Sequence, residues 1–297
     1  MKCWISLLLA LTMTCCAAGA LAQERDYIAV IYVEDEISEY AYGYDHLGTL
    51  ELIDTLMEDA DNRGIYLYLN SPGGYLYESD ELYEKLMRYK AQTGNGIYCY
   101  IGAQACSGAF YVAMAADYIA AGKMSEVGNV GVYLETVSYQ GLYEKLGIEY
   151  NIISTGENKL EGIPTLTQTQ REIITERIKE ALGFFVERIQ EGRGIDAQEA
   201  QRLTDGRIFT ATQAQAYRLI DAVMTYDDAQ EDMLERFFGA QLPVLSIEDI
   251  LEGYGEDYAP YPYGASDAQD AGGTLLDWLT DGLGARGGGR LAAMRRP

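Results

Sequence analysis

"IYLYLNSPGG" (65–74) reads as a buried strand that stops in a sharp turn, and "YESDELYEKLMRYKAQTG" (77–94) follows it as an amphipathic helix. "IYCYIG" (97–102) is the next strand, and "AQACSGAFYVAMAAD" (103–117) opens a buried, small-residue helix. Strand, helix and strand in that order predict parallel pairing, because parallel neighbours need a crossover and a helix supplies it. Upstream, "YIAVIYV" (27–33) reads as a strand, and residues 48–64 as a helix with Leu50, Ile53, Leu56 and Met57 at helical spacing. Downstream, strands are predicted at 118–122, 128–134 and 148–154, with a short helix at 141–147 between the last two. From 167 the chain turns helical: a long helix over 167–194, another near 196–203, and a closing unit at 205–223. The fold class is α/β, one catalytic-sized domain over 27–240 with a helical C-terminal part.

The termini differ from this body. Residues 1–22 carry one charge, Lys2, then an apolar run and "ALA" before Gln23, the layout of a secretory signal cleaved after Ala22. The alternative is an uncleaved anchor, since Trp4–Leu21 is uncharged and long enough to span a bilayer. Either places the body outside the cytoplasm. Residues 241–297 read as a low-complexity, flexible tail: Gly, Pro, Tyr and Asp dominate 252–273, and 284–297 is basic. This tail is either solvated or docked on a neighbouring subunit.

Composition excludes more than it identifies. A formal net charge of −24 argues against a nucleic-acid partner. Of the five cysteines only Cys99 and Cys106 lie in the body, so neither a disulfide framework nor a zinc site is expected. No metal or cofactor is implied. The 25 tyrosines have no evident role in the sequence alone.

Two loops carry chemistry. "NSPGG" (70–74) ends a strand in a turn whose glycines let backbone N–H groups approach a ligand, and "CSG" (106–108) sets a serine at a helix start, where N–H groups are unpaired. Together, the amides of Gly74 and Gly108 would form an oxyanion hole beside the Ser107 hydroxyl. Ser107 then needs a base. The single histidine, His46, precedes it in "YGYDHLG" and reads as an ordinary exposed residue. Cys106 reads as a small buried residue rather than a thiol nucleophile. The "YESDEL" run reads as helix surface, and "FFVERI" (184–189) as core.

Taken in order, "YLYLNSPGGYLYESDELYEKL", "GAQACSGAFYVAMAADYIAA", "GNVGV", "STGENKLEG" and "DGRIFTATQAQAYRLID" resemble the signal peptide peptidase A family of serine peptidases over about 27–225. The resemblance implies a Clp/crotonase-like superhelix of β-β-α units and a serine–lysine dyad that works without histidine. It assigns Ser107 as nucleophile and Lys159 as general base, with Gly74 and Gly108 at the oxyanion. It further implies peptide substrates, a homo-oligomeric ring in which one protomer's lysine completes its neighbour's site, and contact with a membrane surface. Three positions depart from the family pattern: Asn129 where a serine orients the lysine, Ala109 where glycine is usual, and Leu160 where an acid follows the lysine. An asparagine oxygen can accept from the amine as a hydroxyl does. Alternatives on the same fold are an acyl-CoA-binding crotonase-like protein and an inactive scaffold.

Overall fold

The computed structural model describes residues 26–239 and 241–252. Strands β1 (Tyr27–Glu34), β2 (Asn62–Ser71) and β3 (Gly96–Cys106) lie side by side in parallel, joined by helices α1 (His46–Glu58) and α2 (Leu76–Thr93). Asp45 caps α1 by accepting from the Gly48 amide at 3.0 Å, and α2 ends where Gly94 turns left-handed. Beyond β3 the edge is shared. Its first half pairs with β4 (Tyr118–Ala121), and its last residues pair with β5 (Glu126–Gly128). Helix α3 (Gly108–Ala113) leaves directly from the end of β3.

After β5 come α4 (Gln140–Leu146), the long α5 (Gln168–Arg193), α6 (Ala197–Arg202), β6 (Ile208–Thr210) and α7 (Ala211–Ala216). β6 returns antiparallel to β5, while β7 (Ala222–Val223) extends the sheet beside β4. Helix α8 (Tyr226–Met233) runs into a π-helical turn at Leu234–Phe238.

The sheet buries two chemically different faces, because successive side chains in a strand alternate. Ile65, Leu67, Leu69, Ile97, Cys99 and Ile101 point to one side, into an aliphatic core with α1, α2, α3 and α5. Tyr66, Tyr68, Tyr98 and Tyr100 point to the other, under α8. The register sets Tyr66 opposite Tyr98 and Tyr68 opposite Tyr100, with ring centroids 5.8 and 6.1 Å apart. Tyr226 of α8 closes on the group, 5.3 Å from Tyr100. Part of the tyrosine content is thus a second hydrophobic layer, each ring contributing apolar area and edge-to-face contacts.

Three expectations need correction. The tail does not begin at 241: β8 (Val244–Leu245) adds to the free edge of β1, and α9 (Ile247–Glu252) follows it. Val244 and Leu245 are buried there, which the Gly- and Pro-rich residues further on concealed. Residues 1–22 and 253–297 lie outside the described residues, and with them the signal or anchor and the basic end. The strands expected at 128–134 and 148–154 are also absent, β5 ending at Gly128. A β-branched run becomes a strand only where it finds an edge to pair with, and past the buried Val130 none of 131–134 or 148–154 is buried. From 131 to 169 only Gly162 is buried.

Candidate active site

The parallel sheet presents the C-terminal ends of β2 and β3 on one side of the body, and the two loops meet there. Gly73 has φ +102°, and a Cβ on it would sit 2.7 Å from the Cys106 carbonyl and 2.8 Å from the Gly108 nitrogen. Only glycine permits that turn and that approach. A Cβ on Gly108 would collide with Ser79 Oγ and lie 3.2 Å from the Gly74 nitrogen.

The direction of the Gly74 amide follows from its neighbours. Ile37 N donates to Gly73 O at 2.9 Å, and Tyr75 N donates to Ile37 O at 3.0 Å. Alternation along an extended chain then turns the Gly74 N–H the opposite way, toward the Ser107 turn. The Gly108 N–H is open for another reason: it is the first residue of α3, without an intrahelical acceptor. Among the described residues neither amide has a hydrogen-bond acceptor.

Ser107 itself is held at φ +50°, ψ −123°, a conformation that costs a non-glycine residue roughly 1–3 kcal/mol. It is fixed by its N–H to Gly128 O (2.8 Å) and by Tyr111 N to its own carbonyl (3.0 Å). Gly128 is the register partner of Cys106, so Asn129 comes level with Ser107 across β5. Asn129 also has positive φ, +48°, and its N–H donates to Arg207 O.

A cavity of about 450 Å³ opens at Ser107. Leu76, Tyr77, Tyr111, Ala181, Phe184 and Phe185 give it a largely apolar wall. At its end Tyr111 Oη donates to Asp80 at 2.5 Å and accepts from Arg188 Nε at 3.2 Å. The Arg188 charge is taken up by Glu84 (2.6 Å) and Glu191 (3.2 Å), so among the described residues the pocket holds no unpaired cation.

The structure therefore brings Ser107, Gly74 and Gly108 to one cavity, while Asn129 follows the register partner of Cys106 and is not among the residues lining it. It does not bring Lys159 to them within the chain. Lys159 is exposed, lines no part of this pocket, and makes no side-chain hydrogen bond or ion pair among the described residues. His46 is corrected: it is buried in the first turn of α1, with Nδ1 3.2 Å from Tyr44 Oη and Nε2 3.0 Å from Glu81. The apolar residues around it in α1 pull that turn inward, and it makes no contact with Ser107. Cys106 is buried, and burial next to Glu126 pushes its thiol up to about 11, so it carries no thiolate near neutral pH.

Sequence reasoning missed the pocket wall. "FFVERI" divides: Phe185 is core, while Phe184 is 54% exposed and faces the cavity, since consecutive helical residues point about 100° apart. Tyr111 was findable, lying one helical turn after Ser107.

A fold of this kind, with a serine turn set beside two open amides, is the Clp-type frame, and residues 28–125 match the Clp protease family. Residues 90–237 match the model of peptidase family S49. The chain is 32% identical over 205 residues to a putative protease of Methanocaldococcus jannaschii, covering 68% of this chain and 63% of that protein. It is 31% identical over 217 residues to a putative signal peptide peptidase SppA of Enterococcus faecium, covering 72% and 63% respectively. A putative protease of Synechocystis is 29% identical over 59% of this chain and 63% of its own length. The matched span is thus a little under two thirds of each of these relatives. The chain belongs to peptidase family S49.

Proposed function

We propose that this chain is a serine peptidase acting outside the cytoplasm on short apolar peptides, signal-peptide remnants among them, with Ser107 as nucleophile and Lys159 of a neighbouring copy as base. The observation that carries the reading is the pair of acceptor-free amides, Gly74 and Gly108, beside a serine held at φ +50°. Ser107 Oγ attacks the peptide carbonyl carbon and its proton passes to the lysine Nζ. The carbonyl oxygen becomes an anion held by the two amides, and the lysine returns the proton to the departing amine. Water then attacks the ester, the lysine takes its proton and passes it to the departing Ser107 Oγ, and the new carboxyl group leaves, its own proton going to solvent.

The lysine is placed on a second copy because 131–169 is exposed while rich in apolar side chains: Leu142, Leu146, Ile148 and Ile153 all lie open. Such a surface fits an interface. A head-to-tail contact of this kind closes into a ring and gives each site residues from two chains. A lysine acts as base only when neutral, and a dehydrated site favours that form.

The test is a fluorophosphonate probe followed by complementation. Wild type should be labelled at Ser107; Ser107→Ala and Lys159→Ala should each lose about 10⁴-fold or more in turnover. Mixed and reassembled, the two inactive variants should recover about a quarter of wild-type activity, since one interface in four pairs an intact serine with an intact lysine. A verified mixed oligomer without activity would exclude the shared site, and an unlabelled wild type would exclude the peptidase.

A further inference from the structure

Gln170 is 3% exposed, and every polar position of its side-chain amide is used. Oε1 accepts from the Thr167 amide (3.3 Å) and the Gly162 amide (3.4 Å). Nε2 donates to Glu157 O (3.1 Å) and Leu160 O (3.2 Å). The first of these bonds belongs to the capping box that starts α5, completed by the Gln170 N–H to Thr167 Oγ1 at 3.1 Å. A capping box, however, needs only an oxygen at this position, and glutamate serves it as well as glutamine. The Nε2 bonds lie outside that purpose. They grip the carbonyls on either side of Lys159.

Besides these bonds the loop is tied to α5 by the ion pair of Glu161 with Arg177 at 2.6 Å, which lies at the surface and does not reach the backbone around Lys159. Within 131–170 only Gly162 and Gln170 are buried, so no apolar core forms there. Lys159 N donates to Gly156 O at 3.2 Å, and Gly162 at φ +74° turns the chain back toward α5. We infer that Gln170 is the positioning residue for the lysine: its amide clamps the 157–162 loop to the rigid start of α5 and so fixes where the Lys159 side chain departs. The inference rests on the reading of Lys159 as base.

Two substitutions in the full-length chain separate the clamp from the cap. Gln170→Glu keeps the capping oxygen and turns a carboxylate oxygen toward two carbonyls, releasing the loop while α5 stays capped. Thr167→Ala removes the cap's hydroxyl and leaves the Nε2 bonds in place. For Gln170→Glu, kcat should fall about 10–100-fold, the scale of a misplaced catalytic group, with KM within about twofold and Tm near wild type. For Thr167→Ala, Tm should drop by a few degrees and kcat hold. If the buried carboxylate prevents folding, Gln170→Met carries the same kcat expectation, because the hydroxyl bond to the backbone of residue 170 survives it. Wild-type kcat in a folded Gln170 variant, or kcat losses that simply follow Tm in both, would overturn the clamp. Full turnover by Lys159→Ala would instead remove the base reading beneath it, so the two failures are distinguishable.

Discussion

Ile97, Ile101 and Val112 of the sheet body are wholly buried, whereas Leu146, Ile148 and Ile153 of the 131–169 segment lie open, Ile153 completely so. Both stretches are apolar, and their sequences do not announce the difference. In the body each β-branched run finds a neighbouring strand, so its backbone is paired and its side chains are covered from both faces. Among the described residues the segment pairs with no strand and its apolar side chains stay uncovered. A hydrophobic pattern therefore states that a surface will be covered, and is silent on which molecule covers it.

The sharpest way to break this contrast is Ile153→Asp. An exposed substitution ordinarily shifts stability by no more than about 0.5 kcal/mol. If a second copy covers the segment, turnover should fall at least about tenfold and the oligomer should dissociate in sedimentation, while the Tm of the body stays put. Unchanged assembly and turnover would mean that nothing docks there.

Leu67→Ala probes the other side. Leu67 is fully buried on β2 in the aliphatic layer, and truncation should cost about 2–5 kcal/mol in urea unfolding. Leu146→Ala should cost far less under conditions where the chain is monomeric.

The tyrosine layer gives a pH-dependent version. Burial raises the Tyr66, Tyr98 and Tyr226 hydroxyls above the ordinary tyrosine range. Unfolded tyrosines ionise near pH ~10 while the folded ones keep their protons, so the unfolded state binds fewer protons and stability falls as pH rises beyond about 10. The urea midpoint should show that decline. Among the described residues Tyr66 Oη is buried without a hydrogen-bond partner, so Tyr66→Phe should be neutral or stabilise by up to about 1 kcal/mol, and should soften the alkaline loss.

The smallest effect belongs to Cys106→Ala. With its thiol protonated near neutral pH, the variant should keep turnover within about threefold. An inactive but folded variant would reopen the thiol as nucleophile.

Much of this was legible in advance because the signals were local. "SPGG" and "CSG" mark their turns, and β1, β2 and α2 lie within a few residues of where hydrophobic periodicity set them, whereas α1 stops at Glu58 instead of 64 and β3 runs on to Cys106. What failed depended on distant partners. His46 can be buried with its Nε2 satisfied because α2 presents Glu81 to it, 35 positions away. β8 exists because β1 has a free edge. The pocket at Ser107 draws one wall from α2 and another from α5, elements whose meeting no spacing encodes.

One feature of β3 bears on how the molecule breathes. Ser107 follows directly on a strand bonded along both edges, to β2 on one side and to β4 and β5 on the other. Amide protons at 97–101 should accordingly exchange with solvent only through global opening, while those of 148–160 exchange through local fluctuation. Ser107 then has no private route to disorder: its turn loses shape only when the whole sheet does. The 157–162 loop, held by the Gln170 amide rather than by a sheet, opens locally when those bonds let go, within the lifetime of one folded body.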